Sequence, residues 1–249
     1  TDHLGVIHKM WPVHDPAAIS AAQAKLRDLP IFIADGHHRY ETAVNYRNQL
    51  KAEGKIADDN AAANFVLMMF IGMSDPGLVI MPTHRLVSGL PALTIDDLKA
   101  AQGSHCSLES MGKGPDAARQ AWEMVEADGG QNAFGFGTSA DDEWVFARCA
   151  NDAPMAELAP DQSPAWRKLG VSLLQKLVLE HLLAKKYPGE RKLQYVHLLS
   201  EATDSIAQKE CQVACLVPPA QIIDVQEIAS TIEKMPPKST YFYPQLLSG

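Results

Sequence analysis

One run of ionisable side chains could do chemistry together: Asp35-Gly36-His37-His38-Arg39-Tyr40-Glu41. Two imidazoles and a guanidinium can hold an anion or move protons, and a flanking carboxylate can deprotonate an acceptor or ligate magnesium. A phosphoryl group suits such a set, because its transfer needs cations around the moving group and a carboxylate beside the acceptor. We therefore take Asp35, His37 and Glu41 as candidate catalytic residues, and Gly36, His38 and Arg39 as candidate phosphate holders. Asp35 is the preferred base, since it closes an apolar run beside the turn. Glu41, inside the following helix, can instead reach back as a capping residue. The plain alternative for the whole run is a solvated helix start.

The elements that must position these residues are legible nearby. Residues 31–34 are short, apolar and partly β-branched, as in a buried strand. Asp35-Gly36 suits a sharp turn, and residues 40–49 place Tyr40, Ala43 and Val44 on one helical face. Strand, glycine turn and helix in that order set free backbone N–H groups at a helix start, which is an anion site. The helix dipole disfavours cations there unless an anion pairs with them.

Two other groups could join the first. Residues 78–81 read as a strand that delivers Pro82-Thr83-His84-Arg85. Residues 61–73 read as a central strand buried on both faces, turned back through Ser74-Asp75-Pro76-Gly77 into a hairpin. That hairpin would return His84 and Arg85 towards the first run as further phosphate holders. The tail, residues 235–244, packs prolines and aromatics around Lys238-Ser239-Thr240. Lys238, Ser239 and Thr240 could hold a phosphate, or the aromatics could clamp the tail to the core.

The remaining pattern alternates strands and helices. A strand is expected over residues 4–13, and a helix opened by Asp15-Pro16 and running to Leu29. Thr94 to Asp97 forms a capping box. Residues 117–127 read as a helix, 132–137 with 143–149 as a hairpin, and 151–164 as a linker. An apolar stripe predicts a helix over residues 171–186, followed by strands at 193–198 and 213–217 and a helix at 222–232. The fold class expected is α+β, with a mixed-sheet α/β arrangement as its variant. The expected division is a core over 1–150 and a C-terminal α/β portion over 165–249.

A net charge of −8 argues against nucleic acid and anionic membranes as partners, leaving a small molecule and, in principle, a homodimer. The four cysteines show no metal-ligand spacing and read as reduced, so no resident metal and a cytoplasmic setting are expected. The chain opens Thr1-Asp2-His3 without methionine, as a fragment would.

Three blocks together resemble a family: residues 31–43, 75–85 and 235–244 as quoted above. They are similar to the uncharacterised bacterial and archaeal family catalogued as domain of unknown function 1015, whose members usually carry a further N-terminal portion. More distantly, Gly36-His37-His38-Arg39 with Tyr40 resembles the phosphate motif of the ParB/sulfiredoxin superfamily. That likeness implies a strand-turn-helix core in which His38 and Arg39 contact phosphate. It further implies a nucleotide ligand (ATP, ADP or CTP, with Mg2+) and a kinase-like transferase among the activities. Sulfiredoxins place a reactive cysteine where His37 stands, so their redox chemistry is not expected. The leading expectation is a nucleotide-dependent phosphotransferase acting on a small metabolite. A nucleotide-binding regulatory module without turnover is the alternative. A metal-dependent hydrolase using His37, His38 and His84 ranks last, for want of a ligand set.

Overall fold

The computed structural model describes residues 1–2, 4–149, 152–231 and 233–245. Two compact units emerge: Thr1–Val79 with Phe242–Gly249, and Ile80–Tyr241. The division expected near residue 150 falls inside the second of them.

The first unit is helical where capping chemistry is explicit. Helix α1 (Pro16–Leu26) starts with the Asp15 carboxylate accepting from the Ala17 amide, 3.0 Å, and with Pro16 at its first position. It ends three residues short of Leu29. Helix α2 (His37–Ala52) follows Gly36. The strands expected over 4–13, 31–34 and 61–73 do not form, and residues 62–64 make a short 3-10 turn instead. A strand needs a ladder partner for its N–H and C=O groups. None of these three segments is given one. No described residue between 1 and 79 is buried. Met10 is 88% exposed and Leu67 fully so. In the same unit, the Asp2 carboxylate gathers His8 Nε2 (2.9 Å), the Tyr243 hydroxyl (2.8 Å) and the amides of Leu4 and Val6.

Strand β1 (Val79–Met81) pairs with the last strand of the chain, β8 (Tyr241–Tyr243), rather than with residues 61–73. The expected hairpin is therefore absent.

The second unit is built on a six-stranded antiparallel sheet. In chain order its strands are β2 (His84–Ser88), β3 (Cys106–Lys113), β4 (Ala133–Thr138), β5 (Glu143–Cys149), β6 (Lys192–Val196) and β7 (Val213–Leu216). Across the sheet they run β3-β5-β4-β7-β2-β6. The period-2 alternation of strands sorts side chains to opposite faces. Val87, Phe136, Val145 and Val213 join one core cluster, with Leu98, Ile228 and the apolar side of residues 171–183. Leu86, Trp144, Ala214 and Leu216 join the other, with Ala117, Ala118, Ala202 and Ile206.

The helices behind these faces were largely expected. Helix α3 (Ile95–Gln102) carries both bonds of the Thr94/Asp97 capping box. Helix α4 (Gly114–Asp128) buries Ala117, Ala118, Ala121 and Val125. Helices α5 (Asp152–Leu158) and α6 (Pro164–Lys168) occupy the supposed linker, and Met155 is fully buried. Asn151 itself lies outside the described residues. The expected 171–186 helix comprises α7 (Gly170–Leu173), a π-wound stretch (Leu174–Leu183) and α8 (Ala184–Lys186). Helices α9 (Leu199–Ala207) and α10 (Ile222–Ser230) complete the unit. Strands and helices together make the fold α+β.

The cysteines need a correction. Cys106 and Cys149 are directly opposed on β3 and β5 and form a disulfide, whereas Cys211 and Cys215 are free and buried. The bridged pair stand 43 positions apart in sequence, and only the strand register reveals that they meet.

Candidate functional site

The sequence-derived residues fall into two groups, one in each unit. In the first, Gly36 caps α2 at φ 82, ψ 25, in the left-handed region. Only glycine enters that region freely, and a Cβ here would also meet the Arg39 guanidinium at 2.8 Å. The first helical bond runs from the Tyr40 amide to the Gly36 carbonyl, 3.0 Å. The amides of His37, His38 and Arg39 therefore lie ahead of the helical ladder, and Gly36 has no side chain to cap them. Arg39 Nη2 donates to Asp35 Oδ2 at 2.9 Å, and His38 Nδ1 lies 3.6 Å from Glu41 Oε2. The structure thus brings Asp35 to Arg39 and His38 to Glu41. Arg39 and His38, at the positive helix end, thus already face carboxylates from within the same seven residues. His37 and His38 are exposed.

The second group is organised by β2. His84 and Arg85 are successive on this strand and point to opposite faces. His84 lies edge-on to Trp122 of α4, ring centroids 4.9 Å apart, and its Nδ1 accepts from the Val217 amide at 3.2 Å. Burial, followed by the charges of Arg85 and His197, pushes its pKa down to about 3. His84 is therefore neutral near pH 7 and adds no positive charge to a phosphate site.

Arg85 is 2% exposed. It opposes Tyr195 of β6 in register, with its guanidinium 5.5 Å from the ring centroid. Its Nη1 donates to the Thr83 carbonyl and its Nη2 to the Lys238 carbonyl, the latter at 2.9 Å. Burial pushes its pKa down to about 10, which leaves it charged.

The tail residues come to this group by backbone. Lys238 adopts φ 57, Ser239 is buried, and Thr240 leads into β8. The aromatic clamp forms: Tyr241 stacks on His197, centroids 4.0 Å apart, and Phe242 is buried. His197 Nδ1 bonds the Pro82 carbonyl at 2.9 Å. Sequence reasoning missed Thr83, Trp122, Tyr195 and His197. Thr83 stood inside a quoted motif and offered a signal, but the others become visible only through the register of β2 and its neighbours.

Among the described residues no three His, Cys, Asp or Glu side chains come together as a metal cluster, and no helix is long and apolar enough to cross a membrane.

An α+β protein with a glycine-capped helix start and a buried β-strand arginine is the class these observations define. Residues 1–172 match the family described as "Protein of unknown function (DUF1015)", and the chain belongs to that family. Among solved structures it is similar to a conserved hypothetical protein from Pyrococcus furiosus, at 17% identity, covering 84% of this chain and 68% of that one, with a TM-score of 0.42. It is also similar to a free serine kinase in complex with AMP, at 15% identity, 92% and 81% coverage and a TM-score of 0.40. A mutant free serine kinase in complex with ADP aligns at 16% identity, with the same coverage and a TM-score of 0.41. Comparison with curated proteins finds no match.

Proposed function

We propose that the protein is a nucleotide-dependent phosphotransferase acting on a small hydroxyl-bearing metabolite, with the nucleotide phosphates held where α2 begins. The observation that carries this reading is the left-handed Gly36 cap, which sets the His37, His38 and Arg39 amides ahead of the ladder with no capping side chain at Gly36 itself. In this reading the amides and the side chains of His38 and Arg39 take the phosphate oxygens. Asp35, released from Arg39 as the anion arrives, accepts the proton of the metabolite hydroxyl. His37 and Glu41 are the remaining candidates for proton transfer. Lys238, Ser239 and Thr240 are further phosphate candidates. ATP, ADP or CTP is the proposed nucleotide, bringing Mg2+ held mainly by its own phosphates. A ParB/sulfiredoxin-like core and a cytoplasmic setting belong to the same proposal.

One observation favours a second reading, binding without turnover: the Asp35 carboxylate is already engaged by Arg39. Among the described residues no ligand cluster gathers for the hydrolase reading, and the His84 Nδ1 is engaged by a backbone amide.

A thermal-shift screen with ATP, ADP, CTP, GTP and pyrophosphate, each with magnesium, tests the proposal on parent and Arg39→Ala proteins. A ligand at a hundred times its dissociation constant adds about 2.7 kcal/mol of stability. The expected outcome is a nucleotide-specific shift that Arg39→Ala loses. A shift of equal size in both proteins would remove phosphate from this turn. Phosphate transfer to hydroxyl metabolites, abolished by Asp35→Asn, then separates the enzyme from the binding module.

A further inference from the structure

Arg85 is a buried cation without a counter-charge among the described residues. Among the described residues no carboxylate pairs with it. Among the described residues its Nε–H finds no acceptor, and the Thr83 hydroxyl, also buried, finds no partner. Removing a guanidinium from water is costly unless partners with good geometry offset the loss, so an incomplete set of partners here needs a reason.

The geometry of the guanidinium indicates what is missing. Its Nε–H and Nη2–H lie parallel on one edge, and that edge matches the two oxygens of a carboxylate. In this structure a single oxygen, the Lys238 carbonyl, meets that edge through Nη2 alone. Lys238 lies outside any helix or strand, and its φ of 57 is a conformation that non-glycine residues hold only at a cost. The oxygen blocking the fork is thus carried by one of the less stable backbone positions in the unit.

We infer that Arg85 and Thr83 form a carboxylate site, which a small hydroxy or amino acid enters by displacing the Lys238 carbonyl from the Nε/Nη2 edge. The Thr83 hydroxyl then donates to the same carboxylate. A carboxylate fits better than a phosphate because the site offers one positive charge. The neighbouring His84 is neutral and bonded to the Val217 amide, so a buried dianion would be left under-compensated. The site draws on residues of the second unit alone and does not depend on the turn at Gly36.

The test uses acetate, glycolate, inorganic phosphate and chloride at equal ionic strength, with two readouts: the thermal midpoint and the NMR signals of the arginine Nε–H groups. The expected result is a saturable rise of the midpoint with acetate and glycolate but not chloride, and movement of the Arg85 Nε–H signal. Arg85→Met should fold and lose the response. Thr83→Val, which removes only one hydroxyl, should weaken the apparent Kd by up to about tenfold. Arg39→Ala should leave the carboxylate response intact, which separates this site from the turn. Carboxylates no better than chloride, or a response that survives in folded Arg85→Met, would overturn the inference. A response to phosphate alone would overturn the carboxylate assignment. Should Arg85→Met not fold, the titration of Nε–H in the parent decides: an unmoved Arg85 signal sinks the site.

Discussion

The chain contains two His-Arg pairs, His38-Arg39 and His84-Arg85, and they meet opposite physical fates. Arg39 is exposed, and its partner Asp35 lies four residues away, a pairing any helix start can make locally. Arg85 is buried, has no carboxylate partner among the described residues, and takes backbone carbonyls from residues 2 and 153 positions distant. His38 stands in solvent, whereas His84 is locked between Trp122 and the Val217 amide. The difference lies in what covers each pair, because identical dipeptides acquire their electrostatics from burial. An exposed pair is chemically available and energetically cheap. A buried pair is expensive, so its unmet valences are informative.

The sharpest way to break this contrast is to ask whether the two units really differ in packing. Phe136 is fully buried in the sheet core, and Leu67 is fully exposed. Phe136→Ala should destabilise the protein by about 3–5 kcal/mol. Leu67→Ala should change it by less than about 0.5 kcal/mol. Urea unfolding of both variants measures the pair. A Leu67 cost approaching that of Phe136 would mean that residues 65–71 are covered in solution.

The same contrast explains what the sequence revealed. Helix starts were legible because their chemistry is local: Asp15-Pro16, the Thr94/Asp97 box and Gly36 each act within four residues. The 133–149 hairpin and the 171–186 helix were legible from period and turn residues. The strands over 4–13, 31–34 and 61–73 were not correctly read, because apolar character gives a segment the capacity to pair but not a partner. For the same reason β1 was matched with the wrong segment, and its true partner, β8, lies about 160 residues on. The disulfide and the supposed linker failed similarly, since register and burial are properties of distant residues. Around Gly36 the geometry of the turn was legible, because its contacts span four residues or fewer. The His84-Arg85 pair was named as a motif, but the burial that gives it meaning was not.

A smaller effect sharpens the comparison through pH. In the folded chain the pKa of His84 is pushed down to about 3, while its ordinary value is 6.5. Between those values the unfolded chain binds a proton at this residue that the folded chain refuses. Stability therefore falls as pH drops through that window, by at most about 1.4 kcal/mol for each pH unit, and His84 adds no pH dependence above it. His84→Gln, whose amide oxygen can still accept from Val217, should flatten the loss between pH 6.5 and 4.5. Unfolding free energies at several pH values measure this. A slope unchanged from the parent would mean that His84 is not the residue refusing the proton.

A small stability effect belongs to the pair with the largest proposed role. Arg39 and Asp35 are both more than half exposed, so their attraction is screened by water and salt and opposed by the entropy of fixing two side chains. Arg39→Ala should lower the unfolding free energy by less than about 1 kcal/mol, and added salt should shrink the difference further. The same substitution is proposed to remove nucleotide binding, and the contrast between those two numbers is what makes it diagnostic. A residue kept for structure would show the reverse, a clear stability cost with ligand binding unaffected. If Arg39→Ala instead destabilised the protein by several kcal/mol, the Asp35–Arg39 pair would be holding the turn itself. The amides ahead of α2 would then owe their geometry to the ion pair rather than to Gly36, and loss of binding in that variant would say nothing about phosphate.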